Sequence, residues 1–115
     1  PISSFQAVRH RLAEALVAIE AAAAACDGAW ADATPFTAMV AKATAGRTTR
    51  TVARHCQQVL AGVGFTAEHD FHGYLKRAVV CDKVLGDAAT SVRAVGEVLT
   101  SGRMEPVLPL PQFGP

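Results

Sequence analysis

The sequence predicts an all-α protein, and three of its features support that fold class. Half of the 115 residues are hydrophobic, alanine is used heavily and only 6% are aromatic, a composition that favours helices over sheets. Apolar residues recur three or four positions apart, which is the spacing of one helix face. Capping and turn residues interrupt this pattern at three places. We therefore predict a four-helix up-and-down bundle in one domain, residues 1–103, followed by a proline-rich tail, residues 104–115.

The first predicted helix begins at a sequence that has the form of a capping box. Ser3 is the expected N-cap and Gln6 the side chain that reaches back to it. The helix should run to about Cys26 and end at Asp27-Gly28, where glycine can adopt a left-handed conformation. Its predicted buried side consists of apolar residues spaced three or four apart: Phe5, Val8, Leu12, Ala15, Leu16, Ile19 and Ala23.

The second predicted helix is long and begins at Thr34-Pro35. Thr34 is the expected N-cap, and Pro35 suits the first helical position, where its missing N–H is not needed. The helix should reach about Leu60. Gly46 weakens its middle by about 1 kcal/mol relative to alanine, so a glycine there indicates close contact with another backbone. The predicted buried side is Phe36, Met39, Val40, Ala43, Val52, Cys56, Val59 and Leu60.

The third and fourth predicted helices are shorter. The third begins near Asp70, and its predicted buried side is Phe71, Tyr74, Leu75, Ala78, Val84 and Leu85. Asp87 is a good N-cap for the fourth helix, which should run from Ala88 to about Thr100 and end at Ser101-Gly102. Its apolar line is Val92, Val95 and Leu99.

Composition limits the classes of function that the sequence favours. The net charge of +1 argues for neither a nucleic-acid-binding nor a membrane-surface protein, and no apolar run approaches the ~20 residues of a membrane span. We interpret the three cysteines, Cys26, Cys56 and Cys81, as reduced core residues of a cytoplasmic protein, because disulfides are rare inside cells.

Three short patterns are compatible with binding, and each also has a purely structural explanation. Arg47, Arg50 and Arg54 form one basic stripe, which suits phosphate binding or an ordinary solvated helix face. His69 and His72 lie among carboxylates, but other metal ligands at a recognised spacing are missing, so a helix cap formed by His69 and Asp70 is the better explanation and no metal site is predicted. The glycine turn, Ala61–Gly64, is either a phosphate-binding turn or a helix C-terminus.

A longer pattern connects these features to a known family. The run from Gln58 to Ala78, QVLAGVGFTAEHDFHGYLKRA, closely resembles the C-terminal helical domain of acyl-CoA dehydrogenases. The segments 1–14 and 41–46 also resemble parts of that domain, in the same order. The resemblance extends from residue 1 to about residue 100.

The resemblance implies a fold, a cofactor and partners. These enzymes are FAD flavoproteins that oxidise acyl-CoA thioesters to trans-2-enoyl-CoA and pass electrons to a transfer partner. Each subunit has an N-terminal helical domain, a β-domain and a C-terminal four-helix bundle. A second subunit completes the flavin site. The implied cofactor-binding residues of this chain are Gln6, Gln58, Gly62 and Gly64.

The sequence departs from the family pattern at several points. Ala61 replaces the first glycine of the turn, and the chain is expected to be a portion of a larger subunit because the β-domain is missing from it. Leu85 stands where many members carry the glutamate that removes the α-proton, and leucine cannot accept a proton.

Two explanations of Leu85 remain open. Either the base lies on an earlier helix, or this is a non-catalytic subunit of a heteromeric enzyme, such as those that actinobacteria use on steroid side-chain thioesters. The leucine-glycine-aspartate sequence resembles the second type. A rival hypothesis of another class is a non-enzymatic helical protein–protein interaction module.

Overall fold

A computed structural model describes residues 1–103, and it confirms the all-α fold with four helices. Within this range there is no β-strand. The α-helices are α1, Gln6–Ala31; α2, Pro35–Leu60; α3, Phe71–Lys83; and α4, Ala88–Thr100. Two short 3₁₀-helices, Ile2–Ser4 and Ala61–Phe65, precede α1 and follow α2. The predicted proline-rich tail lies outside the described residues.

Helix α2 is the centre of the domain, because each of the other three helices packs against it. Helices α1 and α4 make the more extensive contacts and α3 makes fewer. The radius of gyration is 17.2 Å, compared with about 13 Å for a compact domain of this length. The four helices therefore form an open arrangement around α2.

Helix α1 packs on α2 through its small residues. The α1 positions that are buried or partly buried recur with alternating spacings of three and four: Val8, Arg11, Ala15, Ala18, Ala22, Ala25 and Ala29. We call the five alanines of this set the alanine seam. A strict repeat of this kind keeps one face of a helix on its partner along the whole length. The two helices form an antiparallel hairpin closed by the turn at Asp32–Thr34.

Helix α4 approaches α2 closely at Gly46, as the sequence predicted. A Cβ atom added to Gly46 would lie 2.3 Å from the Cβ of Ala88 and 2.3 Å from Oδ1 of Asp82. Ala88 is completely buried, and its N–H donates to Asp82 Oδ1 at 3.2 Å. Glycine is thus required at position 46 by the space that α4 and the end of α3 occupy.

The predicted caps are partly confirmed. The Thr34 hydroxyl accepts from the Thr37 N–H at 3.1 Å, and Asp87 Oδ1 accepts from the Thr90 N–H at 2.8 Å. The predicted capping box at Ser3 is wrong, because Phe5 is the N-cap of α1 and no side chain caps it. The predicted end of this helix at Asp27-Gly28 is also wrong. Alanine-rich sequence on both sides of Gly28 favours helix strongly enough to carry α1 through to Ala31.

The predicted buried side is correct for α2 and only partly correct for α1 and α3. All eight predicted α2 residues are at least partly buried. In α1, however, Val8 and Ala15 face inward, while Ala23 and the larger Phe5, Leu12, Leu16 and Ile19 are exposed. In α3, Phe71, Leu75 and Ala78 are partly buried, whereas Tyr74, Val84 and Leu85 are exposed. Val92 and Leu99 of α4 are exposed as well, and Val95 is partly buried.

The errors on α1 have one physical cause. Helix α1 is apolar on two faces, and the alanine face rather than the leucine face contacts α2, since small residues let two backbones approach. Ile19 of α1 and Phe71, Tyr74 and Leu75 of α3 border an open groove of about 250 Å³ above α2. We call this the α1–α3 groove, and it is lined by Ile19, Thr48, Thr49, Val52, Ala53, Phe71, Tyr74, Leu75 and Ala78.

The cysteines are all free thiols, as predicted for reduced residues, but they are not core residues. Cys26 and Cys81 are exposed and Cys56 is partly buried. Among residues 1–103, no helix combines the length and apolar character that would be needed to cross a membrane.

Replacing Gly46 tests the close approach of α2 and α4. Gly46→Ala places a methyl group in space that Ala88 occupies, so we expect a loss of stability of about 1–3 kcal/mol. Gly28→Ala is the matched control, since nothing lies within 4 Å of its added methyl, and it should gain about 0.5–1 kcal/mol. Thermal unfolding of both variants measures the difference. Equal effects of the two substitutions would show that α4 does not contact α2 at Gly46.

Candidate functional site

The glycine turn closes α2 with a tight change of direction. Ala61 has φ 47° and ψ −130°, and its N–H donates to the Gln57 carbonyl. The Gln57 side chain returns to the same residue, because its Nε2 donates to the Ala61 carbonyl at 3.3 Å. Gln57 therefore holds both polar groups of Ala61. We did not single out Gln57 from the sequence, although its position four residues before Ala61 is the spacing of such a contact.

Ala61 is in a conformation that suits glycine better than alanine. Positive φ brings a Cβ atom close to the neighbouring carbonyl and costs of order 1–3 kcal/mol. The two hydrogen bonds between Gln57 and Ala61 stabilise the turn in this conformation.

The two glycines of the turn differ in their surroundings. A Cβ atom on Gly64 would lie 2.7 Å from Gln57 Nε2 and 3.0 Å from the Leu60 Cβ, and Gly64 is buried. Packing within the turn therefore explains Gly64. No atom lies within 4 Å of the corresponding position on Gly62, and Gly62 is exposed. Nothing in residues 1–103 requires glycine at position 62, which leaves its backbone open to approach from outside.

The structure brings the other two predicted binding residues to the same end of the hairpin. The Thr48 hydroxyl donates to the Ala18 carbonyl at 2.8 Å, which fixes the antiparallel register of α1 and α2. Gln6 is twelve residues from Ala18, and Leu60 is twelve residues from Thr48, so both lie about 18 Å further along the helices. Gln6 is therefore level with the start of the glycine turn. The side chains of Gln6 and Gln58 are both exposed.

Leu85 lies in the link between α3 and α4 rather than at the end of α3. It is 99% exposed, with φ 59°. The carboxylates on either side of it already have partners: Asp82 accepts from the Ala88 N–H, and Asp87 accepts from Thr90 and Lys83. Lys83 Nζ lies 3.0 Å from Asp87 Oδ2. Both carboxylates near Leu85, Asp82 and Asp87, therefore accept hydrogen bonds from neighbouring residues.

The remaining sequence patterns have structural roles or remain on the surface. His69 caps α3, because its Nδ1 accepts from the Phe71 N–H at 3.0 Å. The Asp70 side chain does not cap the helix, contrary to prediction. No group of three or more metal-ligating side chains is present in the part of the chain that the structure describes. Arg47, Arg50 and Arg54 are exposed along α2.

Comparison with known families decides the identity of the fold. Residues 1–100 match the family described as the C-terminal domain of acyl-CoA dehydrogenase. The chain belongs to this family. The match includes α1 to α4 and the glycine turn, and so confirms the resemblance found in the sequence.

Three curated relatives carry the family name. The chain is 42% identical over 78 residues to acyl-CoA dehydrogenase IpdE2 of Mycobacterium tuberculosis, covering 68% of the chain and 24% of the relative. It is 39% identical over 109 residues to acyl-CoA dehydrogenase FadE34 of the same organism, covering 89% of the chain and 15% of the relative. It is 32% identical over 93 residues to acyl-CoA dehydrogenase IpdE2 of Mycolicibacterium smegmatis, covering 81% of the chain and 30% of the relative. The chain thus spans less than a third of the length of each relative. No solved structure matches it.

The Asp87 cap makes the stability of the α3–α4 link depend on pH. The hydrogen bond from the Thr90 N–H, together with Lys83, holds the pKa of Asp87 well below its ordinary value. A depressed pKa stabilises the fold above the unfolded value, about 3.9, and this contribution is lost as the pH falls through the folded value. Asp87→Ala should therefore lower the melting temperature at pH 5–7, by an amount that shrinks below about pH 4.

Asp27→Ala provides the control for this prediction. Asp27 is an exposed carboxylate near the end of α1, and its removal should change the melting temperature little at any pH. A constant difference between the wild type and Asp87→Ala from pH 7 to pH 2 would contradict the assigned cap.

Proposed function

We propose that the chain is the FAD-binding and subunit-pairing C-terminal domain of an acyl-CoA dehydrogenase. The observation that carries this proposal is the open backbone at Gly62, at the same end of the hairpin as the exposed amides of Gln6 and Gln58. Membership of the family makes FAD the expected cofactor. When bound, FAD accepts the electrons that leave the thioester as the α,β-double bond forms.

The exposed residues at this end of the hairpin fit a flavin cofactor. Glutamine side chains both donate and accept hydrogen bonds, as the polar edge of a flavin or its ribityl chain requires. Gly62 has no side chain to keep a diphosphate away from the backbone. Gly64 supports the turn from inside, and its contribution to cofactor binding is therefore indirect.

We further propose that this subunit does not supply the catalytic base from the usual position. Leu85 cannot accept a proton, and the neighbouring Asp82 and Asp87 serve as hydrogen-bond acceptors for the backbone of α4. The proposal is a non-catalytic subunit that lends its glycine turn to a partner's flavin. A base on a helix that precedes residue 1 of this chain is the alternative.

The exposed apolar residues support the pairing part of the proposal. Sixteen large hydrophobic side chains are exposed in residues 1–103, and two of them, Ile19 and Tyr74, line the α1–α3 groove. Exposed apolar patches of this extent are typical of surfaces that pack against other protein. Further parts of the same subunit and a second acyl-CoA dehydrogenase subunit are the proposed occupants.

The remaining parts of the proposal follow from the enzyme class. The substrate is an acyl-CoA thioester, of the steroid side-chain type if the heteromeric assignment is correct. An electron-transfer partner reoxidises the flavin. We propose a cytoplasmic location, which the free thiols of all three cysteines support.

Flavin content tests the proposal directly. The complete subunit, co-expressed with its partner subunit, should purify as a yellow complex that releases about one FAD per site on denaturation. A colourless complex, or a well-folded monomer that never associates with an acyl-CoA dehydrogenase subunit, would instead favour the interaction-module hypothesis.

Gly62 allows a sharper test, because its substitution should not disturb the fold. In the same complex, Gly62→Leu should weaken FAD binding at least tenfold, the equivalent of about 1.4 kcal/mol, with little change in melting temperature. Gly28→Leu is the matched control: it also enters open space, but at the opposite end of the hairpin. Unchanged FAD affinity in Gly62→Leu would remove this residue from the site.

A further inference from the structure

The alanine seam packs closely but does little to fix the position of α1 along α2. Each alanine presents the same single methyl group, and the spacing repeats every seven residues. Shifting α1 by one repeat would place alanine on alanine again over much of the seam. Apolar contacts of one size give little preference for a particular register, whereas a buried polar pair can specify it.

Two polar links between α1 and α2 cross the alanine seam and favour one register of the two helices. One is the hydrogen bond from Thr48 to the Ala18 carbonyl near the middle of the hairpin. The other joins His55 Nε2 and Glu14 Oε2 at 3.1 Å. The loop at Asp32–Thr34 fixes one end of the hairpin, and the His55–Glu14 link is the one nearer to Gln6 and the glycine turn.

The His55–Glu14 link is asymmetric. His55 is one of the most buried polar residues, with 3% of its surface exposed, while Glu14 projects into solvent. A carboxylate only accepts hydrogen bonds, so Nε2 carries the hydrogen. His55 Nδ1 is buried and has no hydrogen-bond partner among residues 1–103. Glu14 is therefore the polar partner of the buried His55 ring. If α1 shifted along α2, the ring would stay buried and neither of its nitrogens would have a hydrogen-bond partner.

We propose that the His55–Glu14 pair is a positioning device that keeps Gln6 level with Gln58 and Gly62. It acts through the register of α1, since Gln6 is eight residues from Glu14, about 12 Å along the helix. His55 is three residues before Gln58 and so belongs to the α2 turn that leads into the site. The inference rests on the proposed flavin site and assigns it two residues that the family resemblance did not indicate.

FAD affinity of the complete heteromeric complex, measured by flavin fluorescence during titration of the apoprotein, tests the device. Glu14→Ala and His55→Leu each remove the link, and both should weaken FAD binding by about tenfold, equivalent to about 1.4 kcal/mol. The double variant should lose no more than either single one, because the two residues act as a pair. Glu14→Gln keeps an acceptor oxygen and should restore most of the affinity.

Gly46→Ala is the control that separates positioning from general stability. It disturbs the contact between α2 and α4 and leaves both polar links between α1 and α2 in place. Gly46→Ala should therefore lower the melting temperature and leave FAD affinity within twofold of the wild type.

Two outcomes overturn the inference, and they are distinguishable from failure of the proposed function. FAD affinity within twofold of the wild type in Glu14→Ala and His55→Leu shows that the pair does not position the site. An equal loss in Gly46→Ala shows that stability alone is responsible. If the wild-type complex itself binds no FAD, the proposed function fails, and this inference fails with it.

Discussion

The close approach of other helices to α2 is the constraint on which the rest of the structure depends. Gly46 admits Ala88 of α4 to contact distance, and the alanine seam admits α1 along its full length. Small residues permit this because backbones can then meet without a gap between them. Because the helix contacts use small residues, no large side chain is fully buried in residues 1–103. Close contact between helices replaces a thick hydrophobic core, so the larger apolar residues remain on outer faces.

Because small residues pack in this way, the few polar links between α1 and α2 contribute more to the relative position of the two helices than their number indicates. A core of interlocking leucines fixes the relative position of two helices by shape, whereas a row of methyl groups does not. The hydrogen bond of Thr48 and the pair of His55 with Glu14 therefore carry positional information for the hairpin. Polar contacts also fix the geometry of the glycine turn. Gln57 holds both polar groups of Ala61 in a backbone conformation that alanine alone disfavours.

The sequence was sufficient to predict features that depend on local chemistry. The caps at Thr34 and Asp87, the span of α2 and the close contact at Gly46 all follow from residue types at particular positions. Burial on α1 and α3 was not predictable in the same way. Leu12, Leu16 and Ile19 have the spacing of a buried face, but spacing does not say whether the partner lies within residues 1–103. Gln57, Glu14 and His55 were missed because their contacts cross a turn or join two helices. Gly62 was singled out as part of the glycine turn, and its expected role in cofactor binding came from the family resemblance.

Leu85 and the glycine turn lie in parts of the domain that are far apart. Leu85 follows α3, whose last turns pack near Gly46: Asp82 lies against that glycine, and the Cys81 carbonyl accepts from Lys42 at 3.0 Å. Gly46 is fourteen residues before Leu60, which places it about 20 Å from the glycine turn along α2. A leucine at position 85 is therefore too far away to alter the geometry around Gly62. Under the proposed function, a subunit can lack a catalytic base at Leu85 and still provide the cofactor contacts of its glycine turn. Selection on such a subunit would act on the register of the hairpin and on the glycine turn rather than on the α3–α4 link.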